Sequence, residues 1–258
     1  MDIYWLEQTE ADVPAGNQWL GPSEATRLEK LRFDKRRVDW RLGRWTAKRA
    51  LASYLSLRAD DHSFASIEIR PASSGAPVVY LADQRSPLTI SLSHRGGRAV
   101  CAIAPSATAL GCDLEIIEPH SESFVADYFT QEERRLVALA SGPNRLRLLA
   151  LLWSSKESAL KALGTGLRLD TRSVVVTFVD QSWYLEEEQI SAVRHCPTED
   201  LSGAFPRQDG DGWHPLRVHC LGGQIFQGWW LEAGDFLRTV VADPPPTRPT
   251  PLRFTTSV

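Results

Sequence analysis

Three carboxylates and one ammonium could carry chemistry in this sequence. In "GCDLE" (111–115), strand alternation sets Asp113 and Glu115 on one face, directly after Gly111. Two adjacent carboxylates repel each other unless a cation neutralises them. An all-oxygen pair suits Mg²⁺, which takes one or two carboxylates together with substrate phosphates. On its own, this pattern would be an ordinary solvated strand face. In "WSSKESALK" (153–161), Trp153, Glu157 and Lys161 fall at i, i+4 and i+8 on one side of a helix. A Glu–Lys pair at that spacing is usually a surface pair worth roughly 0.2–0.5 kcal/mol. Here Leu149, Trp153 and Leu160 set Glu157 at the edge of an apolar stripe, so a third cation-facing carboxylate with an ammonium beside it fits better.

Other polar groups could meet phosphate. "SLSHRGGR" offers Ser93 and His94 at a strand end before a glycine turn, where a hydroxyl, an imidazole and open backbone N–H groups could contact an anion. A lone His94 is more often a plain loop histidine. Ser93 and His94 do not form a nucleophilic pair, because adjacent strand residues point to opposite faces. "RVDWRLGRWTAKR" carries Arg37, Arg41, Arg44, Lys48 and Arg49 at helical spacings, either a solvated basic face or a phosphate-binding one. The pairs His195–Cys196 and His219–Cys220 match no zinc module, since neighbouring ligands on a strand diverge.

These groups must be positioned by regular elements. "MDIYWLEQ" reads as an opening strand, followed by helices over "GPSEATRLEKLRF" and "RVDWRLGRWTAKRALASYLSL". "PVVYL", "LTISLS", "RAVCAIA" and "ALGCDLEII" are strands, and "HRGGR" joins two of them as a hairpin turn. Thr130 with Glu133 three residues on predicts a capping box. A long helix follows, with Pro143 near its start and Gly164 past its end. "SVVVTFV", "PLRVHCL", "IFQGWWLEA" and "FLRTVVA" close the pattern. Residues 197–215 read as a loop and 244–258 as a Pro-rich, disordered tail. "WTAKRAL" (45–51) and "WSSKESAL" (153–160) echo each other, with Trp three residues before Lys, and Arg49 standing where Glu157 stands. The expectation is an α+β chain of two similar halves, 1–110 and 111–243, related by pseudo-two-fold symmetry with the active site in the cleft between them.

The 258 residues, 43% of them hydrophobic, are enough for a substantial core. A net charge of −3 leaves no footprint for non-specific nucleic-acid binding. No run approaches the roughly 18 apolar residues of a membrane span. The N-terminus lacks the pattern of a secretory signal, and four cysteines without a C-x-x-C pair suit a reduced, cytoplasmic protein.

Together, "GCDLE" and, some 40 residues later, "WSSKESALK" resemble the paired motifs of the 4′-phosphopantetheinyl transferase superfamily, specifically its surfactin-type branch. "ISLSH" (90–94), "RRVDWRLGR", "YFTQEE" (128–133) and "GDFLRTVVADP" support the likeness, which covers about residues 1 to 243. The resemblance implies transfer of 4′-phosphopantetheine from coenzyme A to a serine of an apo acyl or peptidyl carrier protein, releasing adenosine 3′,5′-bisphosphate. It implies Mg²⁺ (or Mn²⁺) on Asp113, Glu115 and Glu157, and Lys161 at the coenzyme A pyrophosphate. Ser93 and His94 would meet coenzyme A phosphates, with Arg41 or Arg44 at the nucleotide. Glu133 is a candidate to activate the serine hydroxyl, and the chain would act as a monomer. The family often has a Lys where Ala76 stands in "GAP", which would leave Arg70 or Arg95 to replace it, and Cys112 stands where a β-branched residue is usual. The competing readings are another Mg²⁺-dependent nucleotide phosphotransferase or pyrophosphohydrolase, and a non-catalytic carrier-binding homologue.

Overall fold

Each half of the chain runs strand, helices, then four strands that return to pair with the first. In the first half, β1 (Tyr4–Thr9) precedes α1 (Pro22–Glu29), α2 (Asp34–Tyr54) and α3 (Asp61–Ser66). Strands β2 (Ile67–Pro71), β3 (Pro77–Leu81), β4 (Gln84–Arg95) and β5 (Arg98–Pro105) follow. In the second half, β6 (Ala109–Ile116) precedes α4 (Glu122–Tyr128), α5 (Gln131–Leu139) and α6 (Gly142–Ala162). Strands β7 (Val174–Phe178), β8 (His214–Cys220), β9 (Ile225–Ala233) and β10 (Phe236–Asp243) complete it. The computed structural model describes residues 1–105, 107–178 and 212–253. His195, Cys196 and the expected loop up to residue 211 lie outside the described residues, while His214 and Pro215 already belong to β8.

The sheet orders are β1-β5-β4-β3-β2 and β6-β10-β9-β8-β7, the same path twice, with a short β11 (Thr250–Pro251) added outside β1. The chain is thus the expected α+β fold with two sheets. Sequence dictates the local joints. The two-residue loop between β4 and β5 is Gly96–Gly97, both at positive φ (55° and 74°), as the twist of a tight hairpin requires. Thr130 Oγ1 accepts from Glu133 N at 3.2 Å and Glu133 Oε2 accepts from Thr130 N at 2.9 Å, the predicted capping box of α5. Pro143 lies in the first turn of α6.

Strand alternation separates two jobs. Cys101 and Ile103 of β5 join the core under α2, while Val100, Ala102 and Ala104 meet Leu110, Cys112 and Leu114 of β6 and Val240 and Ala242 of β10. The sheets therefore pack back to back through mostly small side chains, which leaves Gly111, Asp113 and Glu115 on the face that α6 covers. The halves are also tied by Glu7 of β1, which accepts from Arg98 Nη1 at 2.8 Å and from Arg238 Nε at 2.6 Å.

The echoed lysines anchor the two long helices. Lys48 and Lys156 are both 0% exposed. Lys48 pairs with Glu24 at 2.6 Å and donates to the carbonyls of Phe64 (2.8 Å) and Ile67. Lys156 pairs with Glu133 at 2.9 Å and donates to the carbonyls of Thr171 (2.9 Å) and Val174. Ile67 and Val174 open β2 and β7, and Phe64 and Thr171 each stand three residues earlier. Glu24 also accepts from Ile69 N at 3.0 Å and Glu133 from Val176 N at 3.2 Å, at the third residue of each strand. An ammonium supplies three donors. Lys48 Nζ also donates to Trp19 O at 3.1 Å, and in both halves the ammonium fastens a helix to the strand that follows it.

The tail departs from expectation. Through Arg253 it is placed rather than structureless: Thr247, Thr250 and Leu252 donate to the carbonyls of Met1, Ile3 and Trp5 at 2.7, 2.9 and 2.8 Å. The outer edge of β1 offers unpaired backbone groups, and Leu252 has apolar core to cover, so a Pro-rich segment finds partners.

Candidate functional site

Helix α6 lies on β6 because Gly111 has no side chain. A Cβ there would stand 1.7 Å from Ser158 O and 2.9 Å from Ala162 N. That close approach sets the polar residues of the two elements against each other. Trp153 Nε1 donates to Glu115 Oε1 at 3.1 Å, and one helix end later Lys161 Nζ donates to Asp113 Oδ1 (2.8 Å) and Cys112 O (3.0 Å). Glu157 lies between them on the same side of α6. Ser93 Oγ reaches across from β4 to Asp113 Oδ1 at 2.7 Å, and Ser91 Oγ accepts from Cys112 N at 2.9 Å. The structure thus brings Asp113, Glu115, Glu157, Lys161 and Ser93 together.

The electrostatics call for a cation. Asp113 is 3% exposed, and its Oδ2 is buried without a partner among the described residues, as is Glu157 Oε1. Burial and then the Asp113 charge push the Glu115 carboxyl up to about 7, and push that of Glu157 up as well. Burial opposes the Lys161 charge, but the neighbouring acids, Asp113 foremost, outweigh it and raise the ammonium above its ordinary value. Even with the Arg95 guanidinium 3.4 Å from Glu115, one ammonium among three carboxylates leaves acceptors over. Unpaired buried oxygens are what a hard divalent ion takes, and Mg²⁺ needs only one or two carboxylates beside substrate phosphates, so Asp113 and Glu157 fit it. Lys161 already sits on Asp113, and among the described residues no three His, Cys, Asp or Glu side chains stand arranged to hold a metal.

Beside this cluster opens a cavity of about 580 Å³ between the halves. Asp39, Trp40 and Arg44 of α2 line it, with Ser74 and Ala76 of the β2–β3 turn, Ser91 and His94 of β4, and Lys161, Gly164 and Gly166 at the end of α6. Arg44 stacks over Trp40 at 5.0 Å, and burial pushes its guanidinium down from its ordinary value. His94 stands at the rim with its pKa lowered, chiefly by the protein around it.

Other expected site residues lie elsewhere. Arg41 is not among the residues lining the cavity; its Nη2 is spent on the carbonyls of Pro14, Ala15 (3.2 Å) and Gly16 (3.0 Å), pinning the loop before α1. Glu133 is 1% exposed, with both oxygens committed to the capping box, Lys156 and β7, which is a structural post. Arg70 pairs with Glu68 (2.5 Å) and Asp83 (2.6 Å), and Arg95 with Glu118 and Glu115 (3.4 Å); neither lines the cavity near Ala76. The sequence marks Gly164 only as a helix terminus and Trp40 only as part of the basic-helix motif, not as cavity residues. The only signal was the "GTG" after the long helix.

The profile of the 4′-phosphopantetheinyl transferase superfamily matches residues 109–205. The L-aminoadipate-semialdehyde dehydrogenase-phosphopantetheinyl transferase of Schizosaccharomyces pombe is 31% identical over 205 residues, covering 71% of this chain and 74% of that protein. The chain belongs to the 4′-phosphopantetheinyl transferase superfamily. A phosphopantetheinyl transferase of Thraustochytrium sp. is 30% identical over 189 residues, covering 68% of this chain and 62% of that one. A holo-(acyl-carrier-protein) synthase of Bacillus anthracis, solved in complex with CoA (3′,5′-ADP), aligns 96% of its chain with 41% of this one at 20% identity and a TM-score of 0.35. Within the superfamily match, the carboxylate strand and the Trp153–Lys161 helix segment are the paired elements described above. No helix among the described residues is long and apolar enough to cross a membrane, and Cys101, Cys112 and Cys220 are free thiols.

Proposed function

We propose that this phosphopantetheinyl transferase moves 4′-phosphopantetheine from coenzyme A to a serine of an apo acyl or peptidyl carrier protein, releasing adenosine 3′,5′-bisphosphate. The carrying observation is the matched pair of elements: Trp153 on Glu115 and Lys161 on Asp113, beside a cavity between the halves. Arg44 and His94 meet the nucleotide end of coenzyme A in that cavity. Trp40 and the Arg44 guanidinium stacked on it form an aromatic and cationic wall there. Asp113, Glu115 and Glu157 would hold Mg²⁺, which when bound neutralises pyrophosphate charge.

The serine oxygen attacks the phosphorus that bears the pantetheine arm, and the bond to the adenylate oxygen breaks. Lys161, kept charged by its acidic neighbours, steadies the charge that develops on the departing phosphate. Ser93 and Trp153 hold Asp113 and Glu115 in place through their hydrogen bonds. The serine proton must leave as the new bond forms. Glu157, the raised carboxyl with an unpaired oxygen, takes it directly or through water. Glu133 is sealed away from that task by Lys156. Both walls of the cleft come from one chain, so a monomer suffices, and a reduced cytoplasmic setting suits the free thiols.

Mass spectrometry of an apo-carrier incubated with coenzyme A and Mg²⁺ tests the reading. Transfer adds one phosphopantetheine to the carrier, EDTA stops it, and Mg²⁺ or Mn²⁺ restores it. Consumption of coenzyme A with an unmodified carrier would mean hydrolysis. An unchanged carrier and intact coenzyme A would mean a binding module.

A further inference from the structure

At the cavity rim, the β2–β3 turn of the first half faces the turn that follows α6 in the second. The β2–β3 side presents Ser74, Gly75, Ala76 and Pro77 to the cavity, with no charged side chain among them. A cation that reaches this turn comes from the other half. Arg168 donates through Nη2 to Ser74 O at 3.2 Å and Gly164 O at 3.3 Å, and through Nε to Thr165 O at 3.1 Å. Ser74 and Gly164 both line the cavity. Gly164 and Gly166, at φ of +67° and +53°, fold the turn back so that the guanidinium reaches across.

Arg168 differs from the paired arginines. Arg70, Arg95, Arg98, Arg145, Arg147, Arg172 and Arg238 each face a carboxylate, whereas Arg168 touches only carbonyl oxygens among the described residues. Its Nη1 has no partner among them. A solvent-exposed guanidinium with its charge unpaired and both Nη1 N–H groups unused, beside turns that line a cavity, is prepared for an anion. A free N–H of Nη1 can donate a charge-assisted hydrogen bond to a phosphate oxygen.

We propose that Arg168 binds a phosphate of coenzyme A at this rim and so determines affinity for the nucleotide end of the substrate, bridging the halves as it does so. The inference rests on the coenzyme A reading of the cavity. The competing role is purely structural, a cap on the carbonyls at the end of α6 that also holds the two turns together.

Calorimetric titration of coenzyme A and of dephospho-coenzyme A, which lacks the 3′-phosphate, separates these roles. Arg168→Ala should weaken coenzyme A about tenfold or more, the loss expected for one charge-assisted phosphate contact. Arg168→Lys should lose less. Adding Ala76→Lys to Arg168→Ala supplies a cation from the opposite turn without restoring any bond to Ser74, and should recover part of the affinity. A larger loss for coenzyme A than for dephospho-coenzyme A assigns the contact to the 3′-phosphate, and equal losses with recovery assign it to the pyrophosphate. Arg168→Ala binding coenzyme A within about twofold of wild type would overturn the inference, as would a double variant no better than the single one. A wild-type protein that bound neither ligand would instead sink the coenzyme A reading itself.

Discussion

The two halves share one scaffold, yet only the second carries the acidic cluster. Cys101, fourth in β5, pairs with Leu6, and Thr239, fourth in β10, pairs with Asp113; Leu6 therefore stands where Asp113 stands. By the same register, Gln8 matches Glu115 and Tyr4 matches Gly111. Counting from the anchoring lysines, Arg49 matches Glu157 and Ser53 matches Lys161. Where Gly111 admits the backbone of α6, Tyr4 packs its ring on Tyr54 of α2 at 5.1 Å and fills the same space. The second half has small and acidic residues where the first has an aromatic, an aliphatic and a cation. In the proposed function, the first half supplies the wall that receives the nucleotide, and Trp40, Arg44 and His94 line the cavity there. Shared architecture fixes where a strand and a helix meet, and a handful of side chains at that meeting decides which half carries the acidic cluster.

The largest expected effect tests the shared part. Lys48→Met and Lys156→Met each leave a carboxylate with a side chain 2% exposed, Glu24 or Glu133, buried without its ammonium, although Glu24 keeps Arg44 Nε at 3.7 Å. Removing one member of such a pair costs about 3–5 kcal/mol. Thermal unfolding should therefore fall by about 10 °C for each variant. Adding Glu24→Gln or Glu133→Gln to the matching variant should return part of the loss. Unequal losses, with one lysine costing less than about 1 kcal/mol, would mean that the two anchors are not equivalent.

The next effect tests the part that differs. Glu157→Gln keeps shape and removes charge, and should slow transfer about a hundredfold or more, near 3 kcal/mol in barrier, with the melting temperature unchanged. Near wild-type transfer would make Glu157 a structural residue. Gly111→Ala comes third. Its new methyl meets the α6 backbone, so the helix must lift from β6, costing about 1–3 kcal/mol of stability. Transfer should fall further than that loss of fold explains, because Lys161 and Glu157 move away from Asp113. If transfer fell only in proportion to the folded fraction, the close approach would matter for packing alone.

The cluster itself was legible in the sequence, because strand and helix periods put Asp113 with Glu115 and Glu157 with Lys161. The capping box was equally legible, but its meaning was not. Thr130 and Glu133 are local, whereas Lys156, which takes the Glu133 carboxylate, comes from a different helix. The same applies to the Trp–Lys echo, visible as spacing and explained only by carbonyls of Phe64, Ile67, Thr171 and Val174. Arg41 sat on the expected basic face, yet side-chain reach took it to the loop before α1. The tail read as structureless because the backbone groups it pairs with belong to Met1, Ile3 and Trp5, at the other end of the chain.

The smallest effect concerns how the halves are joined. Burial pushes the Glu7 carboxyl up, but hydrogen bonds and charge from Arg238 and Arg98 outweigh it and hold the group below its ordinary value of 4.5. A carboxyl lowered in the folded state adds stability that is fully present above the unfolded value. That stability is lost as pH falls through the folded one. Between pH 7 and 5.5 Glu7 should therefore contribute no change, and below about pH 4.5 part of the acid loss of stability should belong to it. Glu7→Gln removes that part while leaving Arg238, 7% exposed on its side chain, with a weaker partner. Its cost at neutral pH should be about 1–2 kcal/mol, discounted because Arg98 is 41% exposed. The gap between wild type and variant should then narrow as pH falls toward 3. Denaturant unfolding at a series of pH values reads this directly. A gap that stayed constant across that range would mean that Glu7 holds the halves by shape and neutral hydrogen bonds, and that the charge on β1 does not join the sheets.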